Sequence, residues 1–224
     1  MKKKYEFVEC DTQSLRGRII RRIVAIRDFD DVKEGDLGGY IESESNLSQE
    51  DTCWIYDNAA VFGYAKVHGN AKVYDCAKVR GNTVVYGNAK VYGDAGVYGD
   101  AEVYGDAEVY GRAEVCGHAK VYGGAEVYGH TEVCGRAEVY GNAKVYSNAK
   151  VYVDAEVCGR AKVHGNAKVH GNAKVYGDAK VYGDAKVYDN AEVYGDAKVY
   201  GRAKVCGRAE VRGKAVIRGG YLSL

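Results

Sequence analysis

A six-residue repeat that runs without insertion through most of the chain constrains the fold more than any other feature. Valine stands at Val61, Val67, Val73 and every sixth position to Val211, and Ile55 and Ile217 extend the series to 28 consecutive units. Two residues before each sits a small residue, nearly always alanine, as at Ala59, Ala65 and Ala71, with Thr83 as a variant. Residues two apart on a strand face the same way, so the Ala-x-Val pair points inward. The residue between the pair and the residue after valine point out. Glycine follows, and then Asn, Asp, Arg or His, types that accept the positive backbone angles of a tight corner. Three such strand-and-corner units close an 18-residue coil. An α-helix fails because period six puts valine on no single stripe and glycine interrupts every turn. The predicted fold class is all-β, a single-stranded parallel β-helix of about nine coils, on the order of 45 Å long at the usual strand spacing.

Composition narrows the function classes. Thirty glycines with no proline fit a turn at every repeat, not a disordered linker. A net charge of +1 implies no strong global attraction to nucleic acid or acidic lipid. No apolar run approaches membrane-spanning length and the basic start lacks a following apolar stretch, so the expected address is cytoplasmic, with no membrane partner. Seven cysteines form no paired framework. Cys116 and Cys134 lie one coil apart in one column, and in a reducing cytoplasm they are expected as neighbouring thiols, not a disulfide. Cys53 takes an inward small-residue position.

The ends depart from the repeat. Lys4 to Glu9 and Arg18 to Arg27 read as two strands of a hairpin or short sheet over the first coil. Residues 1–27 carry eight Lys or Arg against three acids, and residues 28–51 carry nine Asp or Glu against Lys33 alone, so the two segments can pair. An exposed solenoid end needs such a cover. The expected organisation is a β cap over 1–36, a solenoid over 37–217 with regular hexads over 55–217, and a C-terminal cap over 218–224 in which Gly219 to Leu224 folds over the last coil. The stretch "IVAIRDFDDVKEGDLGGYIESESNLSQEDTCWIYDNA", Ile23 to Ala59, resembles the N-terminal region and first coils of the YdcK-type β-solenoid family. That resemblance implies left-handed coiling of hexapeptide repeats. Members of the family are described as transferases on the strength of their fold, so it adds little about mechanism.

Residues 18 apart stack, and the outward columns follow. On a first face the column after valine reads Tyr56, Tyr74, Tyr92, Tyr110, Tyr128, Tyr146, His164, Tyr182, Tyr200, Arg218. Such a ladder supports a parallel sheet, and its flat rings could also serve as a platform for bases or sugars. The column between alanine and valine on that face ends in Lys144, Lys162, Lys180 and Lys198, and on the second face in Lys150, Lys168, Lys186 and Lys204. The third face leans acidic there. Stacked like charges repel, so the lysine columns are candidate binding residues for a polyanion such as nucleic acid, or for an acidic protein, with Tyr182 and Tyr200 interleaved.

Catalytic candidates are sparse. Hexapeptide acyltransferases use a histidine base between rods of a trimer, and a loop expelled from the coils often closes the site. Here His164 and His170, one hexad apart on adjacent faces, are the best candidates among five histidines, and no loop leaves the coils between Ile55 and Ile217. His164 and His170 do not copy a zinc-binding pattern, so no metal is expected. Each glycine precedes a strand, where a phosphate loop needs a helix, so no cofactor is expected. The leading expectation is a non-catalytic scaffold or interaction module that binds a protein partner or itself. An acyl-CoA-dependent acyltransferase acting as a trimer and an electrostatic polyanion binder are the alternatives.

Overall fold

The computed structural model describes residues 3–224 and is all-β. A hairpin of β1 (Tyr5–Leu15) and β2 (Arg18–Ala25) pairs antiparallel, and β2 pairs antiparallel with β3 (Leu37–Ile41). From there β3 pairs parallel with the strand Ala60–Gly63, and every later pairing is parallel. Chain reversal is thus confined to the cap, and β3 is the strand that converts a meander into a solenoid. Three sheets form the walls. The first face is a ten-stranded sheet from Trp54–Ile55 to Val216–Ile217, the third a nine-stranded one. The second face continues through β3 into the cap, which makes thirteen strands.

Register follows the sequence period without slippage. Val91 sits beside Val73 and Val109, Lys162 beside Lys144 and Lys180, each pair 18 residues apart. The inward alanines and valines from Ala65 to Val211 are almost all fully buried in one continuous core. Burying each valine is worth about 1.5 kcal/mol. Backbone donors reach up one coil, as Lys72 N–H to Ala89 O at 2.9 Å and Tyr74 N–H to Val91 O at 3.1 Å.

The corners need glycine for two reasons. Gly99 has φ +84°, and a Cβ there would lie 2.9 Å from the Gly117 backbone nitrogen of the next coil. The positive angle falls on the first corner residue; the Asn or Asp that follows does not carry it. Where aspartate takes the glycine place it compensates: the carboxylates of Asp57 and Asp75 accept the N–H groups of Asp75 and Gly93, one coil on, at 3.1 and 2.9 Å. Val153 takes the same place at φ +68° with a side chain that can accept nothing.

Two expectations change. Cys116 and Cys134 are joined by a disulfide, with Cα atoms 4.6 Å apart, where neighbouring thiols were expected. In-register parallel strands bring outward Cβ atoms within bonding reach, a geometric effect that an argument from compartment overlooks. At the far end Tyr221–Ser223 does not fold across the last coil. It pairs parallel with Lys204–Cys206 and extends the second face by one strand.

Candidate functional site

The outward side chains sort into aromatic ladders and charged columns. On the first face Tyr74 to Tyr200 stack ring on ring through His164, with centroids 4.7–5.0 Å apart and planes within 11°. Two further ladders stand on the other faces. The third face stacks His68, Tyr86, Tyr104, Tyr122 and Tyr140, and the second stacks Tyr152, His170 and Tyr188. The ring faces are therefore occupied by one another. A flat ligand meets edges and hydroxyl groups, so the alternative of a stacking platform is closed along the ladder, whose rings support one another.

Charges divide more unevenly than the column order suggests. Every glutamate of the strand columns has an internal partner. Glu102, Glu108, Glu126, Glu132 and Glu156 pair with Lys120, Lys90, Lys144, Lys150 and Lys174 at 2.6–3.3 Å. Glu114, Glu138, Glu192 and Glu210 accept the hydroxyls of Tyr98, Tyr122, Tyr176 and Tyr194 from the coil below at 2.6–2.9 Å. Burial and then these carboxylates push the Tyr98 and Tyr176 hydroxyls up to about 12.

Lys144 and Lys150 are thus already engaged. Among the described residues, Lys162, Lys180 and Lys198 on the first face and Lys168, Lys186 and Lys204 on the second have no carboxylate within ion-pair distance. Nor do the Tyr182 and Tyr200 hydroxyls have an internal acceptor there. An open groove of about 600 Å³ runs beside the first-face row, lined by Arg160, Lys162, Asp178, Lys180, Asp196, Lys198, Lys214 and Val216. Residues 160–218 hold thirteen Lys or Arg against six Asp or Glu.

His164 lies between Tyr146 and Tyr182, and His170 between Tyr152 and Tyr188, each ring covered on both faces. Partial burial lowers both imidazoles below the usual histidine range, helped by Lys162 and Lys180 for His164 and by Lys186 and Lys168 for His170, against the pull of Asp189. They are neutral at neutral pH and sit in separate ladders on adjacent faces.

Sequence reasoning missed a second polar cluster, at the cap. Lys4 is fully buried and donates to Asp51 O at 2.7 Å, Cys53 O at 2.8 Å and the Cys53 thiol at 3.4 Å. Burial lowers its pKa, against the raising effect of Cys53. Lys72 bridges Asp30 and Asp31 at 2.9 and 2.8 Å, and the Tyr56 hydroxyl donates to Asp31 at 2.8 Å. Burial alone would raise Asp31, but the Lys72 and Tyr56 hydrogen bonds outweigh it and bring its carboxyl to about 2. The acid-rich stretch of 28–51 was the available signal; its partner Lys72 lies in a coil and could not be assigned from composition.

No protein-family model matches the chain. The Escherichia coli (strain K12) protein named uncharacterized acetyltransferase YdcK is 54% identical over 46 residues. That stretch is 20% of this chain and 14% of the E. coli protein, far below two thirds of its length.

Proposed function

We propose that this chain, a β-solenoid of the YdcK type, is a non-catalytic interaction rod whose C-terminal lysine faces dock an anionic partner. The observation that supports the reading is the asymmetry of pairing. Glutamates are matched throughout the coils, whereas six lysines of the last coils are left unmatched on two adjacent faces. Rows of like charge at strand spacing cost stability, and a partner that neutralises them recovers it. A cytoplasmic address goes with this reading. The test is turnover: the interaction-rod reading fails if acetyl-CoA-dependent acyl transfer is found and is lost in His164→Ala or His170→Ala.

A second reading, a trimeric acyltransferase, draws on the name of the E. coli relative and on two imidazoles held neutral, as a general base requires. It needs clefts between neighbouring rods to build a pocket around an edge of His164 or His170. Light scattering at low and moderate salt separates the two: a stable trimer that binds acetyl-CoA favours the enzyme, and a monomer, dimer or open series favours the rod.

A further inference from the structure

The geometry points to an oxidative cross-link between cap and coil: peroxide joins the Lys4 amine to the Cys53 thiol through one oxygen atom, as a nitrogen–oxygen–sulfur bridge that thiols reopen. This modification site is independent of whatever partner the lysine faces take.

A departure from the repeat singles out the pair. From Cys53 to Ala215 the inward small position is alanine in every hexad except at Cys53, Thr83 and Thr131. The Thr83 and Thr131 hydroxyls donate locally, to Arg80 O and Tyr128 O at 2.8 and 2.7 Å. Cys53 faces a different segment. The Lys4 ammonium stands 3.4 Å from its sulfur, held there by Asp51 O, Cys53 O and the Phe29 ring. The thiol donates to Val67 O at 3.5 Å, which leaves the sulfur lone pairs to the ammonium. Among the described residues no other cysteine sulfur meets a lysine donor. A place that alanine fills elsewhere therefore holds a thiol where a lysine reaches it.

The surroundings suit a slow reaction with a small oxidant. Both side chains are fully buried. Burial lowers Lys4 and raises Cys53, so it favours the free amine on one side and the neutral thiol on the other. A raised thiol reacts slowly. Yet the pair is shallow, since Lys3, Glu50 and Asp51 beside it are exposed, and a molecule the size of peroxide needs only a local opening to enter.

Two equivalents of hydrogen peroxide balance the step, after the ammonium gives its extra proton to solvent. The first puts an oxygen on sulfur, giving the sulfenic acid and one water. The second takes the sulfenic hydrogen and one amine hydrogen as the nitrogen–oxygen bond forms, giving two more waters. The bridge nitrogen keeps one N–H for one of its two carbonyls. Two equivalents of a dithiol return the thiol, the amine and one water. The closed bridge ties residue 4 to residue 53 and locks the cap onto the coil where the register begins.

The test uses the full chain with its accessible thiols, Cys10 and Cys76 among them, first blocked by iodoacetamide. The chain is then held in hydrogen peroxide, digested and mapped by mass spectrometry. The expected product is a linked peptide, one oxygen heavier and two hydrogens lighter than its two parts, with fragmentation placing the link on Lys4 and Cys53. Dithiothreitol should separate it. Cys53→Ala, which installs the residue the repeat uses elsewhere, should abolish it, and so should Lys4→Arg, which keeps the charge. Chain unfolded in urea should not form it. The inference is overturned if the folded chain gives no linked peptide, if Cys53 passes to sulfinic acid with Lys4 free, or if the link forms equally well in urea. Each of those results leaves the interaction-rod reading standing.

Discussion

The capped end and the repeated coils hold together by different physics. At the cap, single-use residues make contacts that occur once: the Lys4 ammonium on two carbonyls, the Tyr5 hydroxyl on Leu47 O at 2.9 Å, and Trp54 edge-on to Tyr5 and Phe29. Gly38 is needed there because a Cβ would lie 2.6 Å from Ile23 and 2.7 Å from Trp54. In the coils the same contact is made again and again, and any one coil is nearly interchangeable with its neighbour. The cap therefore sets where the register begins, and the repeat only propagates it. A uniform array leaves a one-coil slip inexpensive unless something at the end counts coils from a fixed origin.

The largest expected effect breaks that origin. Lys4→Met keeps the stem and removes the donor, leaving the carbonyls of Asp51 and Cys53 short of a buried partner. A loss of about 3 kcal/mol is expected. Trp54 is the single tryptophan and sits at the cap, so its fluorescence reports that end while circular dichroism reports the coils. Urea unfolding should show the fluorescence transition moving to lower denaturant ahead of the dichroism transition. Coincident movement of both would mean that cap and coils unfold as one unit and the contrast is only descriptive.

Acid should separate the two regions in the order of their titrating groups. His164 and His170 are depressed in the folded chain, so their contribution is complete above the unfolded value of about 6.5 and is lost as pH falls through their lower folded values. Asp31 is depressed to about 2, so its contribution is complete above about pH 4 and is lost as pH falls toward 2. The C-terminal coils should weaken first and the cap later. Histidine NMR titrations that fall at or above 6.5 would remove the first step, and an unchanged Trp54 signal down to pH 2 would remove the second.

Much of this was legible in the chain because period six leaves few alternatives. The parallel register, the inward Ala-x-Val pairs, the first-face tyrosine ladder and both lysine columns follow from spacing alone. The adjacency of Cys116 and Cys134 was legible too; the disulfide was missed because an expected reducing compartment was weighed above that stacking. The pairing of Glu126 with Lys144 was not legible, because a column lists neighbours without saying which long side chains meet. The candidate binding residues divide for the same reason: Lys144 and Lys150 carry internal ion pairs, and Lys162, Lys180 and Lys198 gather around one groove.

Val153 offers a smaller effect, of the opposite sign. It is a β-branched residue at φ +68° in a place that glycine fills in most coils, and its side chain is 46% exposed. Val153→Gly relieves the strain, loses little burial and gives back some unfolded-state entropy, for a net gain of about 1 kcal/mol. Thermal unfolding of the full chain checks it. A loss of stability would show that the Val153 side chain, beside His118 and Arg136 in a shallow corner depression, makes a contact worth more than its backbone cost.

The smallest effect bears most directly on function, because it compares a paired lysine with an unpaired one. Glu126→Gln removes the 2.6 Å partner of Lys144 on a half-exposed face and should cost about 0.5 kcal/mol, less in high salt. Lys180→Gln removes a charge flanked in register by Lys162 and Lys198 and should stabilise the rod by a similar amount, again less in high salt. Opposite signs, measured at low salt by denaturation, would mean that the middle coils use their charges for stability while the last coils keep theirs at its expense. Such an arrangement has a physical rationale only if something anionic neutralises the row. Equal signs would mean that Lys180 serves the fold through its stem, and the groove would lose the feature that distinguishes it from any other stretch of the rod.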